Sequence, residues 1–211
     1  SVLLALMALQ FRRYPQAQIF AFDFGGSIRA AALAMGGDWH DLGGALTGDA
    51  GEPVALKPLA RIDDAGERAW AAEWIAALLA RESVTVTPDL KEHLWSALTS
   101  LASAPITERT LTGLSVLLQS NALKQALQPY TVGGPWGHLL DAEAEHLGRA
   151  EVQVFETEGL IGSGAAPAVL SYLFHRIEDR FDGRPTLVIV DEGWLALDDH
   201  GFAGQLREWL K

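Results

Sequence analysis

The sequence predicts an α/β fold, a mostly parallel sheet flanked by helices and interrupted by an all-helical insertion. Three observations carry that prediction. Short apolar runs at 19–24, 152–156 and 186–190 end in carboxylates or glycine turns, as buried strands do. Helical patterns separate the runs, which is the alternation of a parallel sheet covered on both faces. Between 64 and 128 the strand signal vanishes and leucine stripes at helical spacing replace it.

In chain order, residues 2–14 are apolar at Leu3, Leu4, Met7, Leu9 and Phe11 and stop before Pro15, which predicts a mostly buried helix. "QIFAFDFGGS" predicts a buried strand closed by a glycine turn. "SIRAAALAM" predicts a short helix ended by Gly36-Gly37, and "DWHDL" and "PVALKPL" short strands or loop segments. In the helical block, Trp70, Trp74 and Leu78 share one face, with Trp70 and Trp74 as core or a helix–helix contact. Leu90, Leu94, Ala97, Leu98 and Leu101 form a second stripe, opened by Thr87 as a cap and Pro88 in the first turn. Leu111, Leu114, Leu117 and Leu118 form a third, and "NALKQALQ" a fourth. The Pro/Gly stretch "QPYTVGGPWG" closes the block. The expected organisation is therefore 1–63 as the first α/β part, 64–135 as the helical insertion, and 136–211 as the second α/β part. In that last part "VQVFETE" is a strand and "GLIGSGAAP" a loop. Residues 166–182 are a helix with Leu170, Phe174, Ile177 and Phe181 on one face; "TLVIV" is the final strand and 202–211 a further helix.

Composition excludes several classes. There is no cysteine, so neither disulfides nor thiolate metal sites exist. The net charge of −11, with Arg12-Arg13 the only basic pair, shows no basic stripe for wrapping a duplex. No apolar run approaches the roughly 18 residues of a membrane span. The apolar start has its charges after the run and no cleavage site, unlike a signal peptide. The chain opens inside one helical pattern and closes in another, "GQLREWLK", so it reads as a fragment of a longer protein.

The chemistry concentrates where "TLVIVDEGW" runs an apolar strand into Asp191 and Glu192. In a parallel sheet, ligands bind beyond the carboxyl ends of the strands. Adjacent acids there can divide labour: one orders Mg²⁺, the other orients or deprotonates an attacking water. A strand end reaching solvent is the bland alternative. Asp23, closing "IFAFDF", would share that edge if its strand lies near the last one; otherwise it is a turn residue before Gly25-Gly26. The loop "GLIGSGAAP" loosely resembles a dinucleotide turn. Against this, Asp191 lies 29 residues beyond Gly162 rather than about 20, so a plain glycine loop fits better. The six histidines form no metal box. Trp194 either shields the acids or packs.

Taken together, "SVLLALMALQFRRYPQAQIFAFD", "ALKPL", "YLFHRIEDRFDGRPTLVIVDEGW" and the intervening helical block resemble the VirB/TrbE/CagE family of conjugal-transfer and type IV secretion ATPases, over essentially the whole chain. The resemblance implies a RecA-like P-loop NTPase with a helical insertion. Such a protein works as a hexamer at the cytoplasmic side of the inner membrane, with other secretion subunits as partners and DNA or protein as cargo. It implies ATP and Mg²⁺ as cofactors, Asp191 as the Walker B acid serving Mg²⁺, and Glu192 as the residue positioning the hydrolytic water. Ser1 would be the Walker A hydroxyl on Mg²⁺, with the rest of that loop absent, and Asp23 would lie near the γ-phosphate. None of Lys57, Lys91, Lys124 and Lys211 lies in a Gly-Lys-Ser/Thr setting, so the fragment alone is expected to be inactive. Phe24 stands where relatives often carry a basic residue. A DNA translocase of the FtsK/HerA type and a non-catalytic assembly module, with the faces around Trp70 and Trp74 as its contact surface, remain alternatives.

Overall fold

The computed structural model describes residues 2–43, 54–193, 203, 204 and 207. Two compact units emerge, Ser1–Val54 with Gly148–Lys211, and Ala55–Leu147.

The first unit is a parallel four-stranded sheet. Its strands β1 (Gln18–Asp23), β2 (Asp38–Asp41), β3 (Val152–Glu156) and β4 (Thr186–Val190) lie in the order β2-β3-β1-β4. Strand β1 is fully buried along its length, and its alternation divides the core into two faces. Ile19 and Ala21 pack with Val152, Val154 and Ile189 beneath α1 (Val2–Phe11) and α2 (Arg29–Ala34). On the opposite face Phe22 stacks on Phe174 of α8 (Ala166–Glu178), with ring centroids 4.8 Å apart, and meets Phe155 at 5.3 Å. His40 of β2 continues the row by stacking on Phe155.

Helix α1 departs from expectation. Only Ala8 is buried, while Val2 is 79% and Leu3 65% exposed. The helix is apolar on every side, and the stripe resting on the sheet (Leu4, Ala8, Phe11) covers only one of them. Helix α8 ends at Glu178, short of the expected 182, so Phe181 falls beyond it and is 42% exposed. The edge where the strands begin gathers arginines distant in sequence, but they are paired. Arg12 and Arg184 approach Glu151 at 2.9 and 3.9 Å, and Arg184 also binds Asp182 at 2.9 Å. That edge is an ion-pair network, not an open basic face.

The second unit is helical: α3 (Ala65–Arg81), α4 (Pro88–Ala102), α5 (Leu111–Leu117), α6 (Asn121–Leu127) and the short α7 (Gly137–Leu140). Thr87 caps α4 by accepting from the Leu90 amide, with Pro88 in the first turn, and all five residues of the expected stripe are buried. Trp74 is buried and stacks with Trp70 at 5.7 Å. Trp70 itself is partly buried, so the pair packs as the core or helix–helix contact that its spacing predicts. Leu117 is exposed where the third stripe placed it inward, because α5 turns its buried face through Leu111 and Leu114.

The unit also reaches beyond 64–135 at both ends, since its polar interior is built from the flanks. The Leu56 amide donates to Leu139 O and the Ala142 amide to Leu56 O. Buried Lys57 donates through Nζ to the carbonyls of Thr107 and Glu143. Buried Asp141 accepts from the Thr112 amide and hydroxyl and from the Val132 amide. No described helix is long and apolar enough to cross a membrane.

Candidate active site at the carboxyl edge of the sheet

Every described strand runs into an acid. In register, Asp41 opposes Glu156 and Glu156 opposes Asp23. The Phe22–Val190 pairing brings Asp191 next in the row, with its amide donating to Phe22 O at 2.8 Å. The sequence leaves open whether Asp23 and Asp191 share an edge; the topology places them on adjacent strands.

The acids differ in what surrounds them. Asp23 is fully buried, and its carboxylate accepts from Ser27 Oγ at 2.6 Å and the Ile28 amide at 2.8 Å. It holds the start of α2, in keeping with its reading as a turn residue. Glu156, which the sequence pattern does not single out, is 1% exposed. It accepts from the amides of Gly25 (3.0 Å), Gly26 and Glu158 (2.9 Å). Gly25 and Gly26 have φ of +78° and +66°, a left-handed turn that glycine enters without strain. A signal for Glu156 does exist in "VFETE": a carboxylate closing a strand whose other residues are apolar or amide-bearing, two strands from Asp191.

Asp191 and Glu192 lie at the rim. Asp191 is partly exposed and Glu192 exposed. Asp191 Oδ1 accepts from the Glu192 amide at 3.2 Å, and Glu192 has φ of +49°, which a non-glycine residue rarely adopts. Together with Gly193 they line a shallow depression with Phe22, Leu170 and Val190 and with a wall of Thr157 and Ile161. The wall belongs to the loop between β3 and α8. This loop also passes so close to the end of β2 that a Cβ on Gly43 would collide with the Gly159 main chain. Ser1 and Trp194 lie outside the described residues, as does most of 202–211.

No family profile matches the chain. Individual relatives do. A probable conjugal transfer protein TrbE of Sinorhizobium fredii is 44% identical over 213 residues, all of this chain and 32% of that relative. The conjugal transfer protein TrbE of Rhizobium radiobacter is also 44% identical, over 214 residues and 26% of its own length. The type IV secretion system protein virB4 of Bartonella quintana is 24% identical, again across all of this chain.

This chain belongs to the VirB4/TrbE family.

It spans about a third or less of the curated relatives it matches. The fold agrees with the family. The solved structure of VirB4 of Thermoanaerobacter pseudethanolicus superposes with a TM-score of 0.64 at 16% identity, covering 97% of this chain and 83% of that one. The α/β sheet with a helical unit is thus the VirB4-type fold.

Proposed function

We propose that this chain carries the Walker B half of an ATPase motor of a conjugal-transfer or type IV secretion system. One observation supports the reading most. Asp191 and Glu192 emerge together at the carboxyl end of a parallel strand, at the rim of a depression and reached by solvent, while the neighbouring Asp23 and Glu156 are buried. Asp191 is therefore the carboxylate best placed to offer an oxygen at the edge. A single carboxylate suits Mg²⁺, which takes one or two and keeps several waters. Bound there, Mg²⁺ would supply charge neutralisation for the phosphates of ATP. Asp191 would orient the ion's waters; Glu192, one residue on, would hold and deprotonate the attacking water. Asp23, which closes the adjacent strand, supports them, and the hydroxyl role proposed for Ser1 belongs to the same site.

In this reading the intact protein is a hexamer on the cytoplasmic face of the inner membrane. It couples hydrolysis to pilus assembly and substrate export alongside other secretion subunits. The phosphate-cradling Gly-Lys-Ser/Thr loop is not among these 211 residues, so hydrolysis should be assayed on the intact protein. There, Glu192→Gln should lower turnover by about 100-fold or more while ATP binding persists, as removal of a general base does. Hydrolysis at the original rate would refute the assignment.

A further inference from the structure

We infer that Glu156 is a positioning residue for this site, fixing the end of β1 on which Asp191 and the Thr157 wall of the depression both hang; the inference rests on the hydrolytic reading above. Strand β1 lies between β3 and β4. Its last two carbonyls point to opposite neighbours. Phe22 O accepts from the Asp191 amide at 2.8 Å, and Asp23 O accepts from the Thr157 amide at 2.9 Å and the Thr157 hydroxyl at 2.8 Å. Asp191 and Thr157 both line the depression and follow the strands on either side of β1. The separation of rim from wall is therefore set by where β1 ends.

Beyond Asp23 the chain enters the Gly25–Gly26 turn, two residues with no side chains to pack and both in the left-handed region. Asp23 grips Ser27 and Ile28 and the Arg29 amide donates to Gly26 O, while Glu156 takes the amides of the turn itself, one oxygen accepting from Gly25 and Glu158 and the other from Gly26. All of Glu156's hydrogen-bond donors among the described residues are main-chain amides, drawn from the turn after β1 and the loop after β3. A carboxylate is suited to this because its two oxygens accept several amides at once, and charge-assisted bonds to N–H are about twice as strong as neutral ones. Thr157, the next residue, then ties the loop back to β1. The two loops and the strand end behave as one clamp, closed by a side chain that touches neither nucleotide nor water in the proposed reaction.

The test uses the intact protein with Glu156→Gln and Glu156→Leu, beside Glu192→Gln. Gln keeps one carbonyl oxygen for two of the three amides; Leu keeps none. Misplacing reacting groups by about 1 Å costs up to about 100-fold in rate. The expected result is a graded fall in kcat per folded molecule, Leu below Gln below the original, with the KM for ATP within about threefold. Amide hydrogen exchange at Gly25, Gly26 and Glu158 should accelerate in the same order. A residue needed only for stability would lower the melting temperature and leave kcat per folded molecule unchanged. If Glu156→Leu does not fold, the Gln variant decides alone. Original kcat and undisturbed exchange in Glu156→Gln, with Glu192→Gln inactive, would overturn this inference and leave the motor reading standing. Normal hydrolysis by Glu192→Gln would take down both.

Discussion

Glu192 illustrates how a single residue sets activity against stability. Its φ of +49° costs a non-glycine residue roughly 1 kcal/mol or more, and such conformations persist where the surroundings enforce them. Glu192→Gly should therefore fold as stably as the original chain or more so, by denaturant midpoint, while abolishing the proposed turnover; a large loss of stability would mean the backbone strain is absent. His40 makes a second residue-scale case. Burial holds its imidazole below the ordinary value of 6.5, partly offset by Asp38, and its Nε2 has no partner among the described residues. The unfolded chain therefore takes up this proton at a higher pH than the folded protein does. The histidine's contribution is complete above about pH 6.5 and is lost as pH falls toward the folded value. Urea midpoints measured downward from pH 7 should fall more steeply for the original protein than for His40→Phe; equal slopes would exclude His40 as the source. From sequence, Asp191, Glu192 and Asp23 are readable because they interrupt apolar runs. The division between buried acids that hold loops and rim acids that face the depression is not, since it depends on which amides the loops aim at them.

At the scale of elements, periodicity predicts well where a segment has one partner and poorly where its apolar residues run all the way round. Helix α4 shows the former: its cap, its first-turn proline and its whole buried stripe follow the sequence pattern. Thr87→Ala should cost about 1 kcal/mol through the lost cap. Leu98→Ala, at a fully buried position, should cost about 2–5 kcal/mol. Both are checked by equilibrium unfolding, and near-neutral Leu98→Ala would mean the stripe faces solvent. Helix α1 shows the latter. Its composition reads as buried, yet composition cannot say which side meets the sheet. Strand β1 owes its continuous apolar run to burial on both faces, and that run is the most legible feature of the sheet.

At the scale of the whole molecule, the alternation of strands and helices is enough to foresee a parallel sheet with a helical insertion, but it misplaces the insertion's limits. Leucine stripes end near 128, whereas the unit closes through Lys57 and Asp141, polar residues that no periodicity marks. A segment 55–147 should show a cooperative thermal transition by circular dichroism. A segment 64–135 should not, because it loses the Asp141 clamp on Thr112 and Val132 and the pairing of 56 with 139 and 142. Equal cooperativity in the two would show that the flanks are dispensable.

The sequence by itself determined the fold class, the helical character of 64–128 and the presence of paired acids at the end of the last strand. Each is a local property, written in the spacing of apolar residues and in where a carboxylate breaks it. Tertiary structure alone decided the strand order that sets Asp191 beside β1, and the opposition of Asp23 and Glu156 that buries both. It also decided how the Gly25–Gly26 turn is held. Those depend on contacts between residues more than a hundred positions apart, as between Gly25 and Glu156, and no local pattern encodes which strand lies next to which.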